Sequence, residues 1–475
     1  MDNFEVIIGI EIHVELKTKT KMFSPAGIDF NAIPNTKANQ IDLAYPGTLP
    51  QVNKQAVKYG IALAKALNME IDDELHFDRK NYFYPDLPKG YQITQFFRPI
   101  GKNGSLVIPT SFGSKTIQIE RIHLEEDTAR QHHDETGTKL DYNRAGIPLI
   151  EIVTYPVIRT AEEAANYVDM IKKTVLALEI SEGKLEQGSL RADINISLRL
   201  YGVDKFGTKV EIKNMNSTSN IKKAIEYEIK LQREKLLRGE VILQQTKRFD
   251  DTNNQTVVMR TKTGTTDYKY FADPNIPIIK LSKEFVDSVK INELPNEKLA
   301  RYTNYGIQNI YIQSLIDDYE LSKYFDSIPY NDKDKLSKVF FAEVVSLANS
   351  TSKHTVELGI DPKLLAQALE LLQDEIISGK SLKKLIPMLV QYDGELEPLL
   401  VKHNLKQITD PVIIENHIAQ IISANSDMLT EYNTRPERVI KFILGALMKE
   451  TGGQVSPVLS NQIVVKLLNE MTKQK

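Results

Sequence analysis

The sequence predicts an α+β fold, a mainly antiparallel sheet carrying a few long helices, followed by a region of helices alone. Three observations carry that expectation. Phe4–Lys17 and Leu190–Tyr201 alternate apolar and polar residues strictly at period two. Thr160–Glu179 repeats apolar residues at helical spacing. Past Pro277–Pro295 the strand patterns give way almost entirely to helical ones.

In FEVIIGIEIHVELK, Phe4, Val6, Ile8, Ile10, Ile12, Val14 and Leu16 share one face and must be buried. The other face carries Glu11, His13 and Glu15, with neighbours roughly 6.8 Å apart along the strand. A carboxylate beside an imidazole can share a hard or borderline metal. A half-solvated sheet face with scattered charge reads the same way from this strand alone.

Asn53–Met69 is next, a helix with Val57, Ile61, Ala64 and Leu67 on one side. Asp78–Gln92 is aromatic, basic and broken by Pro85 and Pro88, which predicts a loop or irregular strand. Lys115–Asp127 reads as a strand running into charge, and Leu140–Val153 as a segment that Gly146 and Pro148 interrupt before a short apolar strand. Thr160 and Glu163 predict a capping box at the start of their helix. In Leu190–Tyr201 the polar side holds Arg191, Asp193 and Asn195; in Lys209–Lys213 it holds Lys209, Glu211 and Lys213. Ile221–Arg238 is a helix that Gly239 closes. Among the later helices, Asp361 caps one with Pro362 at its first position, and Thr434 with Glu437 predicts a second capping box. Helices covering the apolar face would leave the polar face as the floor of a cleft.

The composition excludes several classes. With 475 residues, 41% hydrophobic and 26% charged, the chain suits two to four globular domains. A net charge of −3 supplies no global field for nucleic acid, so any such contact is local. No run approaches the ~18 apolar residues of a membrane span, and the N-terminus lacks a signal-peptide pattern. Cysteine is absent, which fits the cytoplasm and rules out a Cys nucleophile or thiolate metal site.

The familiar phosphate loops are missing. Gly379-Lys380-Ser381 mimics the end of a P-loop but has Asp374 where the first Gly belongs, so a helix C-cap is expected there. His123-Leu124-Glu125-Glu126-Asp127 stacks three carboxylates that repel unless a cation or several donors offset them. If extended, it puts His123, Glu125 and Asp127 on one face, though a charged turn is an equal reading. His132-His133 reads as solvated. Glu11, His13, Glu125, Asp193 and Glu211 could together form a metal and phosphate site without a glycine loop.

At these residues the sequence resembles a known family, the B subunits of the aspartyl/glutamyl-tRNA amidotransferases, over essentially its whole length. LDYNRAGIPLIEI (Leu140–Ile152) carries the likeness most specifically. Ile8–Ser24, Asp78–Gln95, His123–Asp127, Glu186–Ser197 and Glu211–Ser217 add to it in the same order. The resemblance implies a cradle-shaped catalytic domain (1–292), a helical domain (293–410) and a C-terminal tail that grips tRNA (411–475). It implies ATP-dependent phosphorylation of the side-chain carboxylate of misacylated Glu-tRNA(Gln) or Asp-tRNA(Asn), then amidation. Ammonia would come from the glutaminase A subunit, with the small C subunit completing the heterotrimer. The cofactors implied are ATP and Mg²⁺. Glu11, His13, Glu125 and Glu211 match the expected metal set, with Glu125, Glu126 and Asp193 as catalytic candidates. Lys80, Lys89 and Arg144 match basic positions that could neutralise phosphates or line the ammonia exit.

The chain departs from the family pattern at Thr128-Ala129-Arg130, at Thr154-Tyr155-Pro156-Val157 and at Gly452-Gly453-Gln454. These departures keep two other readings open: a tRNA-binding scaffold without chemistry, and a free-standing metal-dependent carboxylate–amine ligase.

Overall fold

The computed structural model of the chain describes residues 3–213, 215–261 and 267–473. The chain forms two units, 1–298 and 299–475. The first unit holds β1 (Phe4–Glu15), the two-residue β2 (Glu70–Ile71) and β3 (Glu74–Leu75), then β4 (Asp78–Asn81) and β5 (Tyr91–Thr94). A long hairpin follows, β6 (Gly101–Thr110) and β7 (Gly113–Glu126), and after it a short ribbon, β8 (Arg130–Asp134) and β9 (Gly137–Asp141). Next come β10 (Pro148–Thr154), β11 (Leu190–Leu200) and β12 (Val210–Lys213). A second hairpin, β13 (Gln245–Asp250) and β14 (Gln255–Thr261), precedes the short β15 (Phe271–Ala272) and β16 (Ile279–Lys280).

Nine of these strands make one sheet in the order β14-β13-β12-β11-β1-β10-β7-β6-β2, antiparallel throughout except between β12 and β13. β1 lies at its centre, and its alternation sets the two faces. Ile8, Ile10, Ile12 and Val14 are fully buried, each worth about 1.5–3 kcal/mol of transfer free energy. Helices α1 (Lys54–Ala66), α2 (Ala161–Ala177) and α3 (Thr218–Leu237) cover that face, α1 against β7, α2 against β6 and α3 against β11. Their Val57, Ile61, Val168, Ile171 and Ile225 join the β1 isoleucines in one core.

Local signals acted largely as expected. The Thr160 side chain accepts from the Glu163 amide at 3.1 Å. The Glu163 carboxylate does not close the box on Thr160; it accepts from the Arg159 amide at 2.8 Å and pairs with Lys115. Gly239 follows α3 at φ +75°, the left-handed conformation that ends a helix. His132 and His133 lie exposed on the β8–β9 ribbon.

Past Lys280 the described residues form helices and no strands, and among the described residues no helix is long and apolar enough to cross a membrane. The second unit has two cores, one around Phe325, Phe340 and Leu365 and one around Ile418, Ile443 and Leu468. Asp361 caps Pro362–Gln373 as expected. Two expectations are corrected. Gly379 begins the helix Gly379–Leu385, and Ser378 is its cap, accepting from the Ser381 amide at 3.1 Å. The glycine is thus a helix start, because the serine before it can satisfy an orphan amide. Thr434 does not cap Pro436–Glu450; Arg435 holds the N-cap position, and the Thr434 hydroxyl donates to the Glu431 carbonyl. Pro436, pre-set for the first helical position, fixes the later start.

Candidate functional site

The polar face of the sheet, opposite the helices, gathers charged side chains from five adjacent strands. Register dictates the rows. His13 stands opposite Arg191 on β11 and Glu151 on β10, and Glu151 stands opposite His123 on β7. One step along, Glu11 is opposite Asp193, and Asn195 is opposite Glu211.

These rows make two groups whose ligand atoms lie within 4.8 Å of one another, His13–Glu125–Glu151 and Glu11–Asp193–Glu211. The predicted metal set is thus divided, His13 and Glu125 in one group and Glu11 and Glu211 in the other. In the first, His13 Nε2 is 3.5 Å from both Glu125 and Glu151, and His123 Nε2 is 3.0 Å from Glu151. Thr94 donates to Glu125 at 3.3 Å. Burial disfavours both imidazolium ions, but Glu151 and Glu125 overcome it, raising His13 and taking His123 up to about 9. Burial would likewise raise Glu151, yet His123 and His13 hold it well below the usual carboxylate range. His123 Nδ1 is buried with no hydrogen-bond partner among the described residues.

In the second group Lys213 stands between the acids, 2.7 Å from Asp193 and 3.2 Å from Glu211. Burial works against its ammonium, but those two carboxylates raise it. Thr246 donates to Glu211 at 2.9 Å, and Asn195 to Glu11 at 2.9 Å. Burial, with Glu151 and Asp193 nearby, raises Glu11. Beside Glu11 a cavity of about 250 Å³ is lined by Ile7, Gly9, Val153, Pro156, Phe206 and Lys209. Gly9 contributes only backbone to it.

Four further predicted residues, Lys80, Lys89, Glu126 and Arg144, occupy the margins. Lys80 has no carboxylate within ion-pair distance among the described residues; burial opposes its charge, but Glu125, the nearby tyrosines and Glu151 raise it. Lys89 pairs with Glu126, whose carboxylate also accepts from the Ile93 amide at 3.0 Å, so Glu126 fastens β5 to β7. Arg144 and Arg191 grip Asp127 at 2.7 and 2.9 Å, and together they outweigh burial and lower its pKa. Sequence patterns alone did not single out Glu151. The one charge within the apolar run Pro148–Val153 was the available signal.

The first group offers oxygen and imidazole donors and the second oxygen donors alone, neither with sulfur, and such sets suit a hard divalent cation. A sheet floor with two clusters of acids, a lysine at its margin and an adjoining cavity has the make-up of a candidate enzyme site. The comparisons narrow the class. Residues 6–287 match the model of the GatB/GatE catalytic domain, and 323–468 that of the GatB domain. A protein of Mycoplasmopsis agalactiae, named as the B subunit of an aspartyl/glutamyl-tRNA(Asn/Gln) amidotransferase, is 64% identical over 473 residues, covering 100% of both chains. Proteins of the same name from Mycoplasmopsis synoviae and Malacoplasma penetrans are 62% and 43% identical, over 100% and 99% of this chain and 100% and 98% of theirs. The chain belongs to the family of B subunits of tRNA-dependent amidotransferases, and so to a multi-subunit ligase of protein biosynthesis.

Proposed function

We propose that this chain activates the side-chain carboxylate of glutamate or aspartate misattached to tRNA(Gln) or tRNA(Asn). The carboxylate oxygen attacks the γ-phosphorus of ATP, the Pβ–O–Pγ bridge breaks, and ADP leaves. The nitrogen of ammonia then attacks the acyl carbon, phosphate departs and the amide forms. A carboxylate needs this step because oxide is not a viable leaving group. Such transfer rests on positioning and charge neutralisation rather than on covalent help from the protein.

The observation that carries the reading is the two-group arrangement on one sheet face. His13, Glu125 and Glu151 would hold one Mg²⁺, and Glu11, Asp193 and Glu211 a second. Bound there, Mg²⁺ supplies charge neutralisation at phosphate oxygens. Lys213 spaces the second set of acids apart. Lys80 and Arg144 border the floor as counter-charges, and Glu126 holds Lys89 and β5 in position. The cavity at Gly9 takes the nucleoside of ATP, with Lys209 at its rim. Ammonia reaches the floor from the glutaminase A subunit, tied in by the small C subunit, in the cytoplasm where tRNA is charged. Residues 1–292 perform the chemistry, 293–410 form the helical domain, and 411–475 bind tRNA.

The test is reconstitution with both partner subunits, ATP, Mg²⁺ and Glu-tRNA(Gln). Glutamine-dependent Gln-tRNA(Gln) should form, and His13→Ala or Glu11→Ala should abolish it while glutaminase activity persists. Full turnover in both variants would remove this site from the reaction. tRNA binding without ATP consumption would mark a scaffold. Amidation of a small carboxylate by the isolated chain with ammonium would mark a free-standing ligase.

A further inference from the structure

Six aromatic rings form a continuous run beside Lys80 and the end of β5, where Thr94 donates to Glu125. Tyr84 meets Tyr82 at 6.2 Å, Tyr82 meets Tyr268 at 6.1 Å, and Tyr268 meets Tyr270 at 6.1 Å between ring centres. Tyr270 stacks on Phe96 at 3.9 Å with the planes 10° apart, and Phe96 meets Phe97 edge-on at 5.1 Å. The run meets Lys80 at the margin of the floor, the ammonium lying 4.9 Å from the Tyr268 ring centre and 5.8 Å from that of Tyr82. Its outer members are open to solvent: Phe96 is 50% and Phe97 57% exposed. An apolar core explains none of this, because aromatic rings left in water forgo the transfer free energy that burial would give them.

We propose that this ring ledge seats the unpaired 3′ end of the tRNA substrate, its bases stacking on Phe96 and Phe97 while the terminal aminoacyl group reaches the floor beside Lys80. The proposal rests on the reaction assigned above. Three features favour this occupant. The ledge is continuous with the proposed reacting centre, and a carboxylate esterified to a terminal nucleotide obliges that nucleotide to lie within a few ångströms of the reaction. The run carries a cation: the Lys80 ammonium lies over the Tyr268 and Tyr82 rings. Rings with basic groups suit an unpaired polyanionic strand, since every base has a face to stack. The cavity at Gly9, which we assign to the ATP nucleoside, opens beside the other acidic group, so the ledge is left for the second substrate.

The experiment uses the assembled amidotransferase and two uncharged RNAs, the whole tRNA and the same tRNA trimmed of its three unpaired 3′ nucleotides. Wild type should bind the whole tRNA more tightly. A Phe96→Ala/Phe97→Ala variant should bind the two alike, and its KM for Glu-tRNA(Gln) should rise about tenfold or more with kcat largely kept. Phe96→Trp should retain the discrimination, which a loss of folding would not allow. The proposal is overturned if the alanine variant still discriminates as wild type does. It is equally overturned if that variant loses a partner subunit while its tRNA affinity stays unchanged, for the ledge would then be a protein-docking surface. Should wild type fail to amidate at all, the assigned reaction falls, and the two binding assays still decide the ledge.

Discussion

Glu151 Oε2 lies 3.0 Å from His123 Nε2 and 3.5 Å from His13 Nε2, so one carboxylate on β10 joins the imidazoles of β7 and β1. Glu151→Gln keeps the shape and removes the charge. Mg²⁺ binding should weaken at least roughly 10–100-fold, with a matching loss of amidation. A Mg²⁺ titration of glutamine-dependent turnover measures both. An unchanged titration midpoint would remove Glu151 from the site.

Part of this arrangement is legible in the sequence. The phase of β1 fixed which side chains are buried, because a strand that alternates Ile8, Ile10, Ile12 against Glu11 and His13 has one stable orientation. The later helix starting at Asp361-Pro362 was readable for a local reason, its cap. The division into two ligand groups was not. It depends on the pairings Glu11↔Asp193 and His13↔Glu151, which link residues far apart in the chain. No local pattern encodes such a register. Gly379 reads as a helix end by itself, but its role is set by Ser378 before it, whose side chain caps the helix that follows.

Lys213 offsets the repulsion between Asp193 and Glu211. Without it, three carboxylates face one another across three strands. Lys213→Met should unfold at a lower temperature than wild type in EDTA, and excess Mg²⁺ should raise its midpoint by more than it raises that of wild type. Equal metal increments would show that the lysine does not share the acids with a cation.

Gly9 borders the cavity beside Glu11, and a Cβ built there meets nothing closer than Pro156 Cα at 3.8 Å. Valine at this position is therefore compatible with the strand and should fill the cavity. Gly9→Val should raise the KM for ATP by about tenfold or more, since displaced ligand atoms lose their contacts, while tRNA affinity is retained. Initial rates against ATP concentration test it; an unaltered KM would put the nucleoside elsewhere.

Lys247 and Glu228 form an ion pair almost wholly removed from water, at 2.9 Å, with Gln232 and Thr256 also bonded to the carboxylate. Lys247→Met strands the charge and should cost about 3–5 kcal/mol. Replacing Glu228 by Met as well should recover much of that. Urea unfolding of 1–298 in the full chain, followed by tyrosine fluorescence, would register both shifts. A double variant no better than the single would mean that the pair contributes net stability.

Acid should weaken the first unit through arginine-held carboxylates. Arg199 and Arg159 hold Glu5 below its ordinary 4.5, and, against burial, Arg98 holds Asp72 below its ordinary 3.8. Each carboxylate takes its proton less readily folded than unfolded. Its stabilisation is therefore full above the unfolded value and fades as pH falls through the lower, folded one. The melting temperature of wild type should drop as pH falls below about 4.5, and Glu5→Gln should show a shallower drop. Parallel curves would deny Glu5 a part in acid unfolding.

The side chains on the polar face are carried by strands, so their positions are counted in residues along hydrogen-bonded ladders. Deleting any single residue early in β1 would turn Glu11 and His13 toward the helices and bring isoleucines onto the floor, inverting the whole row at once. Substitutions can tune this site one group at a time, but length changes in the central strand have no small effect. The chain can gain or lose residues freely only where the ladders end, in connections such as the tip between β8 and β9.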